Sequence, residues 1–247
     1  MFIAASTHSF GSQSFEETCV QLVDLEYDKI ELWLDEEGGP LRPSDLATNP
    51  DKFVALYRET TRLTPVAFHC QHDPGDEYFA GICRLGKLMR ITQVTLPAGL
   101  LGTPFNEEID RLRQRLATAN AAGMRLSLKT QNGHLTEDPQ TAVELCQAVP
   151  GLGLTLDISH YLCGKYAGRG HDVVYPYVYH VHLRDTSPTQ LQVPIGLGEV
   201  DYARIISQLR RFNFGRVMAV ELLPELLGDL DRGLELRKIR MLLETLL

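Results

Sequence analysis

The 247-residue chain contains no apolar run approaching the roughly 20 residues that span a bilayer. Its opening Met1-Phe2-Ile3-Ala4-Ala5-Ser6 lacks the basic n-region of a secretion signal. A membrane-embedded chain is thereby disfavoured, and a cytoplasmic location is expected. Cysteine is sparse: Cys19, Cys70, Cys83, Cys146 and Cys163 are odd in number, widely spaced and form no C-x-x-C pair. That pattern offers neither a disulfide framework nor a zinc cluster, and each thiol reads as a small apolar residue. Positive charge is also short, with Lys+Arg at 24 against Asp+Glu at 32 and a net charge of −8. No segment gathers a basic patch, so the phosphate backbone is repelled and neither nucleic acid nor a membrane surface is expected as a partner. Low-complexity segments and composition breaks that would mark a linker are absent too.

What is present is a hydrophobic fraction of 44% with 23% charged residues, the composition of a chain that folds. Short apolar segments alternate with longer stretches of helical period, the pattern of βα units around a parallel sheet. Strands are expected at Phe2–Thr7, Lys29–Leu34, Pro65–Cys70, Ile91–Leu96, Arg125–Lys129, Gly153–Asp157, Val178–Leu183 and Val217–Leu222. The clearest helices are Phe15–Glu26, Pro50–Thr61, Asn106–Ala121, Asp138–Ala148, Tyr202–Arg211 and Asp231–Leu246. Ser14 with Glu17, Asn106 before Glu107 and Glu108, and Asp201 read as helix starts, and Gly123 as a helix end. An open doubly wound sheet needs no eighth unit. A single (β/α)8 TIM barrel over residues 1–247 absorbs them all.

Alternation along the strands places Glu31, Trp33, His69, Gln71, Ser127, Lys129, Gly153, Thr155, Asp157, His180, His182 and Glu221 on the interior face, with Ser6 and His8 at the end of the first strand. Ionisable groups therefore gather at the C-terminal ends of the strands, where eight loops converge on barrel active sites. Taken singly, each is better explained by a buried polar plug; as a set on separate strands they favour a site.

The segments Leu154-Thr155-Leu156-Asp157-Ile158-Ser159-His160, His180-Val181-His182-Leu183-Arg184-Asp185, Gly196-Leu197-Gly198-Glu199-Val200-Asp201 and Val220-Glu221, in that order, resemble the xylose-isomerase-like superfamily of sugar and sugar-phosphate isomerases and epimerases. That group includes hydroxypyruvate isomerase, inosose isomerase and dehydratase, and the ketose 3-epimerases. The resemblance implies a divalent metal (Mn, Mg or Zn) at the barrel mouth, with Asp157, His182 and Glu221 matching three of four ligands. The fourth, a glutamate at the end of strand five, reads Lys129 here.

The superfamily's reaction moves a proton next to a carbonyl through an enediolate held by the metal. An ammonium close to a divalent ion is repelled by it, so two arrangements stay open. Either the metal persists on three ligands with Lys129 swung toward substrate, or the Lys129 ammonium lies between Asp157 and Glu221 in the metal's place. In both, Glu221 is expected as the proton-transferring base; in the second, Lys129 also polarises the carbonyl.

The remaining candidates each carry a structural alternative. Glu31 is expected near the substrate or in an ion pair with a neighbouring strand, Trp33 over the substrate or filling the mouth, and His69 as a substrate contact or support. The resemblance implies that His160 borders the metal and substrate; the alternative is that it anchors its loop through Asp157. Arg184 is expected to pair with Asp185 or meet an anionic substrate, and the resemblance implies Gln192 as a polar substrate contact. His180 reads as a deeper core histidine. Loops at Gly38-Gly39-Pro40 and Gly164–Gly170 are expected to shape the pocket. Gly196-Leu197-Gly198 is a turn before a capped helix and lacks the dinucleotide spacing, so NAD and ATP are not implied.

Partners are expected to be a small sugar or hydroxycarbonyl substrate, with a homo-oligomer open. The apurinic-site endonucleases share this barrel but need a histidine where strand four ends Thr95-Leu96-Pro97. The stronger rival is a barrel in which Lys129 marks lost catalysis and which only binds a polyol or a protein partner.

Overall fold

The eight strands pair in chain order and close on themselves, all parallel, as β1-β2-β3-β4-β5-β6-β7-β8. The structure, a computed structural model, describes residues 1–165 and 167–247; the expected pocket loop Gly164–Gly170 therefore lies partly outside the described residues. The strands are β1 (Phe2–Ser6), β2 (Lys29–Leu34), β3 (Thr64–Cys70), β4 (Gln93–Pro97), β5 (Arg125–Lys129), β6 (Gly153–Asp157), β7 (Val178–Leu183) and β8 (Val217–Val220). Glu221 thus follows β8 and is not part of it. Its backbone N–H still reaches Leu183 O at 3.1 Å, which holds the residue in line with β7.

The helices are α1 (Phe15–Asp24), α2 (Pro43–Thr48), α3 (Pro50–Thr60), α4 (Gly75–Met89), α5 (Phe105–Ala121), α6 (Pro139–Ala148), α7 (Ser159–Leu162), α8 (Tyr202–Arg211) and α9 (Arg232–Leu246). Ser14 accepts from Glu17 N and Asp201 from Arg204 N, as their spacing predicts. Gly123 takes φ +76°, which a side chain would strain, just past the end of α5. Asn106 does not cap that helix. The helix begins one residue earlier at Phe105 behind Pro104, and Asn106 sits in its first turn.

Outward strand residues such as Leu154, Leu156, Val181 and Val220 meet the inner faces of the helices in one continuous apolar layer. The barrel interior is different in kind. Thr95, Ser127 and Thr155 hydroxyls bond one another at 2.6–3.4 Å, and Gln93 donates to Ser127 Oγ at 2.6 Å. This polar layer, in which the three hydroxyls are bonded and only Gln93 Oε1 lacks a partner, underlies the charged groups at the strand ends. No helix of the described residues is long and apolar enough to cross a membrane.

Candidate active site

Parallel register brings the ends of the strands level. Trp33 pairs with His69 across β2–β3, Pro97 with Lys129 across β4–β5, and Asp157 with His182 across β6–β7. Side chains far apart in the chain are thereby aimed at one point. Lys129 Nζ donates to both oxygens of Glu221, at 2.9 Å and 2.7 Å, and lies 3.6 Å from Asp157 Oδ2. The ammonium thus lies between the two carboxylates.

Glu221 is wholly buried and surrounded by nitrogen. His8 Nδ1 meets its Oε1 at 2.9 Å, and Arg184 donates to its Oε2 at 2.7 Å. His69 Nδ1 lies 3.2 Å from Oε1 and His182 Nδ1 3.1 Å from Oε2, both close enough for charge contact but off the hydrogen-bond line. Burial alone would raise the Glu221 carboxyl, but His182, Lys129 and His69 outweigh it and hold it well below the usual carboxylate range. It is a permanent anion and, with Lys129 in place, a weak base.

Arg184 departs from expectation. It neither pairs with Asp185 nor faces solvent: it is fully buried, forks onto Asp157 at 3.2 Å and 2.6 Å, and donates from Nε to the Glu221 carbonyl at 3.0 Å. The reason is geometric, since successive residues past β7 point to opposite sides and only Arg184 turns inward. Asp185 turns the other way and accepts from the backbone N–H groups of Thr186, Gly196 and Gly198 at 2.7–3.1 Å, fixing the β7–α8 loop. Asp157 also takes the Ser159 hydroxyl at 2.5 Å. Burial opposes its ionisation, but Arg184 first, then His160 and Lys129, hold its carboxyl below the usual range.

Glu31 bonds across the barrel to β7 and not to a neighbouring strand: its Oε2 meets His180 Nε2 at 2.7 Å and His182 Nε2 at 3.0 Å. His182 thus bridges two buried glutamates. Burial works against its protonation, yet Glu221 and Glu31 raise its pKa to about 9. His180 is, as read from the sequence, the deeper of the pair and is buried. At neutral pH three carboxylates (Glu31, Asp157, Glu221) face three cations (Lys129, Arg184 and protonated His182).

His69 and His160 behave oppositely to His182. Burial first, and then for His69 the Lys129 charge, pushes the imidazole down to about 3; His160 falls to about 4, also mainly through burial. Both imidazoles are neutral at pH 7. His160 Nδ1 takes the Asn132 N–H at 3.2 Å, tying the β5 loop to α7.

Trp33 stacks on His8 with ring centroids 4.2 Å apart, and its Nε1 donates to Gln71 at 3.0 Å. The expected turn at Gly38-Gly39-Pro40 covers it: a Cβ on Gly39 would lie 2.8 Å from the indole ring. Gln192 spends its amide on the Leu223 backbone, accepting at 2.7 Å and donating at 3.0 Å, so it clamps two loops together. Sequence reasoning placed His8 at the mouth without a role there and missed the inward turn of Arg184. The alternation past the end of β7 was the signal for the latter.

The residues can be tested against a metal. Asp157, His182 and Glu221 do bring one ligand atom each within 4.8 Å of one another, and so do His8–His69–Glu221 and Glu31–His180–His182. As donors, imidazole and carboxylate suit Zn, Mn or Mg. Yet Lys129 and Arg184 already bond the carboxylates of the first set. A unit cation about 4 Å from a divalent ion opposes it by about 8 kcal/mol even at an effective dielectric of about 20. With two such cations in contact, the arrangement does not fit a divalent ion at Asp157–His182–Glu221.

A closed parallel barrel with its ionisable groups converging at the C-terminal mouth defines a (β/α)8 protein with a single-mouth site. The family described as Xylose isomerase-like TIM barrel matches residues 20–238, and the chain belongs to it. Solved structures agree in fold. The zinc-bound IOLI protein is similar at TM-score 0.76 and 17% identity, covering 100% of this chain and 98% of its own. A Xylose isomerase-like TIM barrel protein from Mycobacterium smegmatis in complex with magnesium gives 0.77 and 17%, covering 99% and 96%. D-allulose 3-epimerase from Methylomonas sp. in complex with D-allulose gives 0.73 and 15%, covering 100% and 97%. At these identities the likeness carries the fold alone. No curated protein matches the chain.

Proposed function

We propose that the protein is an isomerase or epimerase of a small sugar or sugar-like hydroxycarbonyl, moving a proton on the carbon next to the carbonyl. The observation that carries this is the Lys129 ammonium, bonded to both Glu221 oxygens at the barrel mouth with 7% of its side chain exposed. A substrate carbonyl that takes the Lys129 N–H in place of Glu221 does two things at once. It gains an electrophile that stabilises the developing enediolate oxygen, and it strips two hydrogen bonds from Glu221, restoring basicity to the carboxylate. Glu221 then removes the proton from the adjacent carbon, the C–H electron pair forms the C=C bond, and the carbonyl pair moves to oxygen. Return of the proton by Glu221 to the neighbouring carbon isomerises; epimerisation instead needs a second group on the opposite face to supply the proton while Glu221 keeps the one it removed.

His69 and His160, kept neutral, are the groups able to take or give the hydroxyl proton. Trp33 offers an apolar face for the sugar's C–H groups. A cavity of about 570 Å³ between the loops after β3, β4 and β5 shares Gln71 with the Trp33 contact and gives room for the rest of the substrate. Relatives solved in this fold include an epimerase with its ketose bound, which agrees with the substrate class.

A second reading, a barrel that binds a polyol without turning it over, is favoured by the saturation of Glu221. Solvent deuterium incorporation, followed by proton NMR over a panel of ketoses and hydroxycarbonyl acids, separates the two. The proposed function predicts loss of a carbon-bound proton for at least one compound and a drop of about 10² or more in Glu221→Gln. Binding with every carbon-bound proton retained would establish the second reading.

A further inference from the structure

We infer that Lys129 and Arg184 together stand where a divalent ion would be held, so that this mouth is a metal-independent site organised by two fixed organic cations. The inference concerns the same site as the proposed function but does not depend on it.

Each carboxylate oxygen of Asp157 and Glu221 already has a cationic donor. Glu221 Oε1 takes Lys129 at 2.9 Å, and Oε2 takes Lys129 and Arg184, both at 2.7 Å. Asp157 Oδ2 takes Arg184 at 2.6 Å and Oδ1 takes it at 3.2 Å. The third ligand candidate, His182, spends Nε2 on Glu31 at 3.0 Å, while its Nδ1 lies 3.1 Å from Glu221 Oε2 without a hydrogen bond. The other two groupings do not escape. His8–His69–Glu221 relies on a carboxylate that Lys129 holds, and in Glu31–His180–His182 both imidazole Nε2 atoms are spent on Glu31 Oε2, which leaves only Glu31 Oε1 without a partner.

Nor can the cations easily leave. Arg184 is wholly buried with Nε, Nη1 and Nη2 all engaged, and Lys129, the last residue of β5, projects between two carboxylates. A guanidinium is planar, always charged and able to bridge two carboxylates at fixed angles, which an ion would otherwise do. What such a site accepts is an oxygen that receives hydrogen bonds, such as a carbonyl, enediolate or hydroxyl, and not a cation.

The test is metal analysis of the full chain purified without chelator, followed by titration calorimetry with Zn²⁺, Mn²⁺ and Mg²⁺. The wild type is expected to carry below about 0.1 equivalent and to show no saturable heat, while Lys129→Glu gains affinity at least about tenfold because a ligand replaces a repelling charge. Lys129→Met supplies a second readout: its thermal midpoint falls and is raised by added Mn²⁺ or Zn²⁺, whereas the wild-type midpoint is unmoved by either ion or by EDTA. About one equivalent of metal in the wild type, lost in Asp157→Asn, would overturn the inference whatever the chain catalyses. A failed proton-exchange assay would leave it standing.

Discussion

Removing one partner of a buried ion pair leaves an uncompensated charge, a change that typically destabilises by about 3–5 kcal/mol. Glu221 and Asp157 are fully buried, so the residues that face them are structural as well as chemical. Lys129→Met is expected to lower unfolding free energy in urea by about 3–5 kcal/mol, and Arg184→Met by at least as much because two carboxylates lose a donor. A loss below about 1 kcal/mol in either would mean that the carboxylates are not ionised in the fold.

His182 gives the pH signature. Its folded pKa of about 9 stands above the unfolded value near 6.5, so the stability it contributes is complete below about pH 6.5 and is lost as pH rises through about 9. Thermal unfolding should show a midpoint falling between these values, with the slope flattened in His182→Asn. A midpoint that rises over that window would contradict the bridging imidazolium.

At the scale of elements, strands were the legible part. β2, β5, β6 and β7 begin and end where alternation and breakers place them, because a period of two in a strand is fixed by covalent geometry. The same parity put His180 and His182 on one face, and both meet Glu31. α4 was not among the clear helices: Gly75, Gly81 and Gly86 dilute its pattern, yet Gly81 is there because a Cβ would collide with the backbone and Cβ of Ala47. Close packing of that kind is decided by the neighbour and leaves no periodic trace.

Loops were least legible. Asp185 looked like a partner for Arg184 beside it, but the loop it holds returns eleven and thirteen residues later through Gly196 and Gly198. Asp185→Ala orphans three backbone donors, and a cost of about 1–3 kcal/mol per buried unmet group follows. Hydrogen exchange should show residues 186–199 losing protection before the barrel strands. Unchanged protection there would mean that the loop is held by other contacts.

For the whole molecule, charge is segregated. The chain carries a net −8, while the mouth gathers three carboxylates and three cations whose charges cancel. A buried cluster of paired charges on a rigid cylinder stabilises an oxyanion with little solvent rearrangement, and its strength comes from orientation more than from net charge. Strand order, closure and the satisfied hydroxyl layer beneath supply that orientation. Trp33 and the Gly38–Gly39 turn cover it from the side of β2.

Deuterium incorporation at carbon, measured on chelator-treated protein with the substrate panel, tests this combination most directly. Exchange should persist in the wild type after metal is stripped and fall by at least about 10² in both Lys129→Met and Glu221→Gln. Exchange that vanishes with the metal and returns on adding Mn²⁺, or that survives loss of Lys129, would contradict it.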